Sequence, residues 1–140
     1  MAGITMLGAN VLSAHVRTNT AVIDTSTAGG ETYALSEIIP QLTQEREVLY
    51  NFFPGAQTPA KAYVDCKPAV DIANAYVHRS KSKHMGYRLA SIKEAVARSQ
   101  IKVMWVPTGN QLADFFTKSL PLPAFTRLRD ILMPPFPWQI

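Results

Sequence analysis

Hydrophobic residues change their spacing along this 140-residue chain, and the change limits the folds that it can adopt. Two short apolar runs, about residues 3–7 and 11–17, flank a turn signal at Gly8, which predicts a β-hairpin. From Glu31 onward the apolar side chains recur at steps of three and four residues, which predicts a helix. Pro40 lies inside this pattern and is expected to kink or divide the helix, because it lacks a backbone donor.

Short strand-like and helix-like segments alternate in the rest of the chain. A hairpin followed by such alternation predicts an α/β fold, with a mixed sheet and flanking helices. Residues 20–24 are a further extended candidate, and Ser26 or Thr27 is the expected N-cap of the first helix, after a loop through Gly30. The later predictions are strand 60–66, helix 68–76, helix 85–98, strand 101–107, helix 110–118 capped by Thr108 or Asn110, and helix 122–132.

The amino-acid composition limits the classes of protein to which this chain can belong. Apolar residues make up 47% of the chain and charged residues 17%, which allows a hydrophobic core and argues against wholesale disorder. We expect one domain over residues 1–132 and a Pro-rich tail over residues 133–140. The single cysteine, Cys66, excludes a disulfide within the chain and suits a reducing, intracellular compartment. The sequence has neither a secretory signal nor a stretch of about 18 apolar residues, so no membrane span is expected.

Basic residues concentrate between positions 77 and 102. This stretch contains seven basic residues, two histidines and a single acid, Glu94. Such a local positive field suits a polyanion such as a nucleic acid backbone. A solvated helix face beside a loop is the alternative explanation of the same charges. The basic residues are Arg79, Lys81, Lys83, Arg88, Lys93, Arg98 and Lys102, and the histidines are His78 and His84.

Three carboxylates occupy similar places in separate predicted elements. Glu31 begins the first long helix, Asp65 ends a strand, and Asp114 lies in the first turns of the helix after the last strand. Strand ends and adjoining helix starts converge on one edge of a layered α/β sheet, so these acids are expected to meet. Clustered carboxylates repel one another, and Mg²⁺, or Mn²⁺ in its place, is the usual compensation. Two such ions about 3.5–4 Å apart activate water and stabilise the leaving oxygen in phosphodiester cleavage.

Each acid is also open to a simpler explanation. Glu31 would be stabilised by the dipole of its helix, and Asp65 would be the N-cap of the next helix. Asp114 is harder to explain in this way, because it follows Leu112-Ala113 and precedes Phe115-Phe116. A carboxylate in such an apolar run is costly to bury without a partner.

Four segments of the chain resemble the ribonuclease H domain that ends the polyprotein of copia-type LTR retrotransposons. Residues 106–120 match its closing pattern, V-P-T-x-x-Q-L-A-D-x-x-T-K-x-L, nearly throughout. "STAGGETYALSE" resembles S-T-x-x-E-Y-x-A-L, with Thr32 inserted after the acid. "DCKPAV" resembles D-N-x-S-A with Cys66 and Pro68 as departures, and "RSKSKHMG" resembles S-R-x-K-H-I-D with Gly86 in place of aspartate. The resemblance covers roughly residues 3–132.

The resemblance implies an RNase H-like fold and metal-dependent hydrolysis of the RNA strand of RNA–DNA hybrids. The basic segment would contact the backbone of the hybrid, and such contacts position a substrate without reading its sequence. The 2′-hydroxyls would mark the strand to be cut. The catalytic, metal-binding carboxylates would be Glu31, Asp65 and Asp114, and the nucleic-acid contacts Arg79, Lys81, Lys83, His84 and Arg88.

One element of the family has no counterpart in the sequence. The family's first strand carries a further aspartate in a segment like Y-S-D-A-D-W, whereas this sequence starts at about the following strand. The resemblance therefore predicts an N-terminally truncated sheet with a vacant central position. A separate chain, or exchange between two copies, would fill that position unless the sheet closes without it. The missing acid leaves a second function open, that of a catalytically inactive domain that binds nucleic acid or protein.

Overall fold

The structure, a computed structural model, divides into two compact units. The hairpin unit contains residues 1–20 and 107–140, and the parallel-sheet unit contains residues 21–106. The expected extended segment 20–24, the candidate cap Ser26 and most of the expected tail lie outside the described residues. No helix in the described ranges is long and apolar enough to cross a membrane. The described ranges are 1–17, 27–55, 58–75 and 83–134, without the side chains of residues 27, 28 and 83–85.

The chain begins with the predicted hairpin. β1, Ala2–Leu7, pairs with β2, Asn10–Val16, in an antiparallel register. Gly8 makes the turn with a φ of 61°, a conformation that side chains disfavour and glycine adopts without cost. The hairpin prediction is confirmed, and each strand differs from its predicted bounds by at most one residue.

A single helix of 26 residues, α1, spans Thr27–Phe52. It begins four residues before Glu31, so the last part of the predicted loop is helical. Gly29 is buried, and packing of this helix against its neighbours offsets the weak helix propensity of glycine. Pro40 lies inside α1 at an exposed position and does not divide it, so the predicted division is wrong.

The remaining elements of the parallel-sheet unit follow the predicted order. β3, Ala60–Val64, is followed by α2, Lys67–Asn74, then α3, Lys83–Ala97, and β4, Ile101–Trp105. Pro68 lies in the first turn of α2, where a missing N–H costs no helical hydrogen bond. β3 and β4 pair in parallel, which a connection through two helices permits.

The hydrophobic core of the parallel-sheet unit lies between one face of this sheet and the helices α1, α2 and α3. Ile92 and Ile101 are its largest fully buried side chains. On α3 the face turned to the core contains Leu89 and Ile92, with Val96 partly buried beside them. The buried members of the core are Leu35, Ile39, Val64, Ala69, Val70, Ala73, Leu89, Ile92, Ala95, Ile101 and Val103.

Asn74 joins the end of α2 to the sheet. Its Nδ2 donates to the carbonyl oxygen of Val70 at 3.0 Å and to that of Val103 at 3.1 Å. The alternation of hydrogen bonds along β4 directs the Val103 carbonyl away from β3. The side-chain amide of Asn74 therefore donates a hydrogen bond to a backbone carbonyl, that of Val103, which the pairing of β3 with β4 does not use.

Three short elements follow β4. They are a 3-10 helix, Thr108–Asn110, the one-turn helix α4, Asp114–Thr117, and α5, Leu122–Leu132. α5 has the predicted bounds. The predicted helix over residues 110–118 is wrong in extent, and its N-cap is Ala113 rather than Thr108 or Asn110.

The fold class is confirmed as mixed α/β, but the single mixed sheet is not found in the described residues. Instead they contain two separate sheets of two strands, β1 with β2 and β3 with β4. A parallel pair by itself is unusual, since parallel strands normally lie inside larger sheets that are covered on both faces. The RNase H-like arrangement of these elements stays a prediction.

Candidate functional site

Glu31 is the fifth residue of α1 and is half-buried. Because the helix starts at Thr27, its first turn contains no acid. The favourable effect of a helix dipole on an acid falls off within that first turn. The simpler explanation of Glu31, as an acid stabilised by the helix N-terminus, therefore loses its physical basis.

Asp65 is the first residue after β3, as predicted, and it is half-buried. The N-cap of α2 is the next residue, Cys66, and no side chain forms a capping hydrogen bond there. The alternative explanation of Asp65 as an N-cap is therefore wrong. Its place at the carboxyl end of a parallel strand is where α/β proteins commonly hold ligand-binding groups.

Asp114 has an ionic partner within its own turn of helix. Nζ of Lys118 lies 2.9 Å from its Oδ2, across the i,i+4 spacing, and the Asp114 side chain is only 13% exposed. Asp114 is also the first residue of α4, where the helix N-terminus favours a negative charge. This pairing accounts for a carboxylate inside an apolar run without any ligand.

The apolar neighbours of Asp114 have a separate packing role within the hairpin unit. The ring of Phe115 stacks on that of Phe125 from α5, with centroids 4.9 Å apart. Phe116 meets Phe115 edge-on at 5.3 Å. These ring contacts hold the single turn of α4 against α5, since a helix of this length is not stable by propensity.

A metal site is not formed by the described residues. Among them, no three or more His, Cys, Asp and Glu side chains are grouped so that they could hold a metal ion. Glu31 and Asp65 belong to the parallel-sheet unit, whereas Asp114 belongs to the hairpin unit and pairs with Lys118. Mg²⁺ is coordinated by several oxygens, and the structure assigns the three predicted ligands to two different units.

The basic segment is described only in part. Arg79 and Lys81 lie outside the described residues. Lys83 and His84 form the first positions of α3, and their side chains are not described. Their predicted contacts with nucleic acid stay predictions.

Arg88, by contrast, is used inside the protein. Its Nη1 lies 2.5 Å from Oε1 of Glu37 and 3.0 Å from Oγ of Ser36. Its guanidinium also lies 4.0 Å from the ring centroid of Tyr33, which adds a cation–π contact. Arg88 thus fastens α3 to the N-terminal half of α1, which favours a structural role over the predicted contact with nucleic acid.

Sequence reasoning missed these partners of Arg88. Tyr33 and Glu37 are four residues apart on α1, a spacing that places them on one helix face. Their shared partner comes from a helix more than fifty residues later, and no local pattern indicates that pairing.

A second group that the sequence did not single out lies on the parallel sheet. The face of β3 and β4 turned away from the core consists of Lys61, Tyr63, Lys102 and Met104, and we call it the open sheet face. The alternation in "AKAYV" and "IKVMW" is the pattern from which it could have been found.

Comparisons with known proteins do not assign this chain to a family. No protein-family model matches this chain, and no solved structure matches it. The resemblance to the copia-type ribonuclease H domain therefore stays a prediction based on the four sequence segments.

Proposed function

We propose that this chain is an RNase H-like nuclease domain of copia-type retrotransposon origin, with RNA–DNA hybrids as its substrate. The observation that carries the proposal is the motif match over residues 106–120, in which the motif's acid, Asp114, is the first residue of α4. The reaction proposed is metal-dependent hydrolysis of the RNA strand.

The positions of the other two acids support the same proposal. Asp65 follows directly after β3, at the carboxyl end of a parallel pair, and Glu31 lies in the N-terminal part of α1. Neither acid is explained by the simpler roles of helix-dipole partner and N-cap. Asp65 is half-buried at the carboxyl end of a parallel strand, a place at which α/β proteins commonly bind ligands.

Activity requires that the three carboxylates be gathered, and among the described residues no group of three or more His, Cys, Asp and Glu side chains could hold a metal ion. We therefore propose that a strand from outside residues 1–140, carrying a further aspartate, joins the sheet. A second copy of residues 1–140 would not supply this strand, because those residues contain no segment like Y-S-D-A-D-W. The isolated parallel pair of β3 and β4 is consistent with an incomplete larger sheet, because parallel strands normally lie inside larger sheets.

Cleavage of a hybrid by the full chain tests this proposal. An RNA strand labelled at one end and annealed to DNA is incubated with Mg²⁺ or Mn²⁺. One series contains the chain alone, and another adds a peptide with the family segment Y-S-D-A-D-W, the first-strand peptide. Cleavage is expected only when metal and peptide are both present.

Two substitutions make the cleavage result interpretable. Asp65→Asn should abolish cleavage, whereas the matched control Asp71→Asn, at an exposed position of α2, should leave it unchanged. Cleavage that survives Asp65→Asn would come from a contaminating nuclease. A chain that binds hybrid but never cuts it, with or without the peptide, would contradict the nuclease proposal.

A catalytically inactive binding module is the second candidate. It is favoured by the ion pair between Asp114 and Lys118, in which Lys118 would compete with a metal ion for Oδ2 of Asp114. A binding module should hold the hybrid with an affinity that falls as salt rises, because phosphate contacts release counterions. An affinity for the hybrid that does not change with salt would contradict this candidate. Cleavage of the hybrid in the presence of the first-strand peptide would favour the nuclease proposal instead.

A further inference from the structure

The open sheet face, Lys61, Tyr63, Lys102 and Met104, differs sharply from the opposite face of the same two strands. Val64, Ile101 and Val103 point into the core and are at most 6% exposed. Lys61 and Lys102 are exposed, and Tyr63 is 51% exposed. The sheet therefore presents cations and an aromatic ring to solvent.

The two lysines are placed side by side. Lys61 of β3 and Lys102 of β4 are partners in the parallel register, and neighbouring strands lie about 4.7–4.9 Å apart. Like charges in such cross-strand positions disfavour the sheet. Within the described part of the chain neither ammonium takes part in an ion pair. An anionic partner would relieve this repulsion.

The position of Tyr63 favours a nucleic acid over a simple ion as the anionic partner. Tyr63 follows Lys61 on the same face of β3, at about 6.6 Å along the strand. An exposed ring next to cations combines the two contacts that hold single strands, phosphates on lysines and bases on aromatic faces. A duplex offers its phosphates but keeps its bases stacked inside, where Tyr63 does not reach them.

We propose that the open sheet face binds single-stranded nucleic acid, with phosphates at Lys61 and Lys102 and a base stacked on Tyr63. This site uses none of the three carboxylates and none of the five residues named as hybrid contacts, and it shares only Lys102 with the basic segment. Its recognition is independent of sequence, because every base has a face that stacks.

Binding by the full chain is measured by fluorescence anisotropy with labelled oligo(U) and oligo(dT) of about 12 nucleotides, over a salt series. The double variant Lys61→Gln/Lys102→Gln removes two phosphate contacts. The salt slope of its binding should fall by about 1.4, at about 0.7 for each contact with a single strand. The matched control Lys67→Gln/Arg129→Gln removes two exposed positive charges that lie outside both the open sheet face and the basic segment, and it should keep the slope.

The stacking contact is tested separately. Tyr63→Leu should weaken binding about 5- to 150-fold, whereas Tyr63→Phe, which keeps the ring, should stay close to the parent. Equal losses in these two variants would overturn the stacking contact. The proposal as a whole is overturned if the parent binds neither oligonucleotide, if the double lysine variant behaves like its control, or if duplex binds better than single strands.

Discussion

Lys118 reaches back one helical turn to Asp114, and its Nζ lies 2.9 Å from the Asp114 Oδ2. The lysine is 51% exposed and the aspartate 13%, so a half-exposed cation pairs with a mostly buried acid. A divalent ion bound to Oδ2 of Asp114 would therefore compete with Lys118 for that oxygen. The same ion pair gives a structural reason for an acid in the apolar run. The nuclease proposal requires a metal ion at Asp114, whereas the binding-module proposal does not.

Lys118→Gln is expected to change the free energy of unfolding by no more than about 0.5 kcal/mol, because an ion pair with one exposed partner is strongly screened. The helix N-terminus still stabilises Asp114 in the variant. Urea unfolding checks this, with Lys67→Gln, at an exposed position, as the control. A loss above about 1.5 kcal/mol would mean that Lys118 holds the α4 turn in place.

Arg88 and Glu37 should be coupled in stability. Arg88→Met removes the ion pair with Glu37, the hydrogen bond to Ser36 and the cation–π contact with Tyr33, at an expected cost of about 2–4 kcal/mol. A double-mutant cycle with Glu37→Gln, measured by urea unfolding, should give a coupling energy of about 0.5–3 kcal/mol. Additive effects of the two substitutions would show that the pair does not fasten α3 to α1.

Binding data on Arg88→Met distinguish its two possible roles. If Arg88 acts inside the protein, hybrid binding below the unfolding midpoint should keep the parent's salt slope. A slope reduced by about 0.9 would instead mark a phosphate contact on a duplex and restore the prediction from the sequence.

Asn74→Ala should destabilise the chain by about 1–3 kcal/mol, because it leaves the Val103 carbonyl without its side-chain donor. Asn51→Ala, at an exposed position of α1, is the matched control and should be close to neutral. Thermal unfolding of both variants beside the parent makes the comparison. Equal stability of the two variants would mean that solvent satisfies the Val103 carbonyl.

The local structure was predictable from the sequence where a single residue type determines the backbone conformation. Gly8 fixed the hairpin turn, and Pro68 fixed the start of α2. Failures occurred where packing overrides propensity. Buried Gly29 lies inside α1 despite its weak helix propensity, and exposed Pro40 is accommodated without breaking that helix. The prediction over residues 110–118 failed in the opposite direction. The sequence pattern there favours a longer helix, but only one helical turn forms.

The candidate site was predictable in its parts but not in its assembly. The sequence placed Asp65 at a strand end and Asp114 at a helix start, because these positions depend on local patterns. Partners such as Glu37 for Arg88 depend on how distant helices pack, which local spacing does not encode. The cross-strand pair of Lys61 and Lys102 likewise requires the register of β3 with β4.

The most direct test of the nuclease proposal is Mn²⁺ titration of the isotope-labelled chain with the first-strand peptide, followed by paramagnetic broadening of backbone amide signals. The proposal predicts that the amides of Glu31, Asp65 and Asp114 broaden together, and that Asp65→Asn suppresses the broadening at the other two. An Asp114 amide that stays sharp while Asp65 broadens, or that broadens regardless of Asp65→Asn, would contradict a shared metal site.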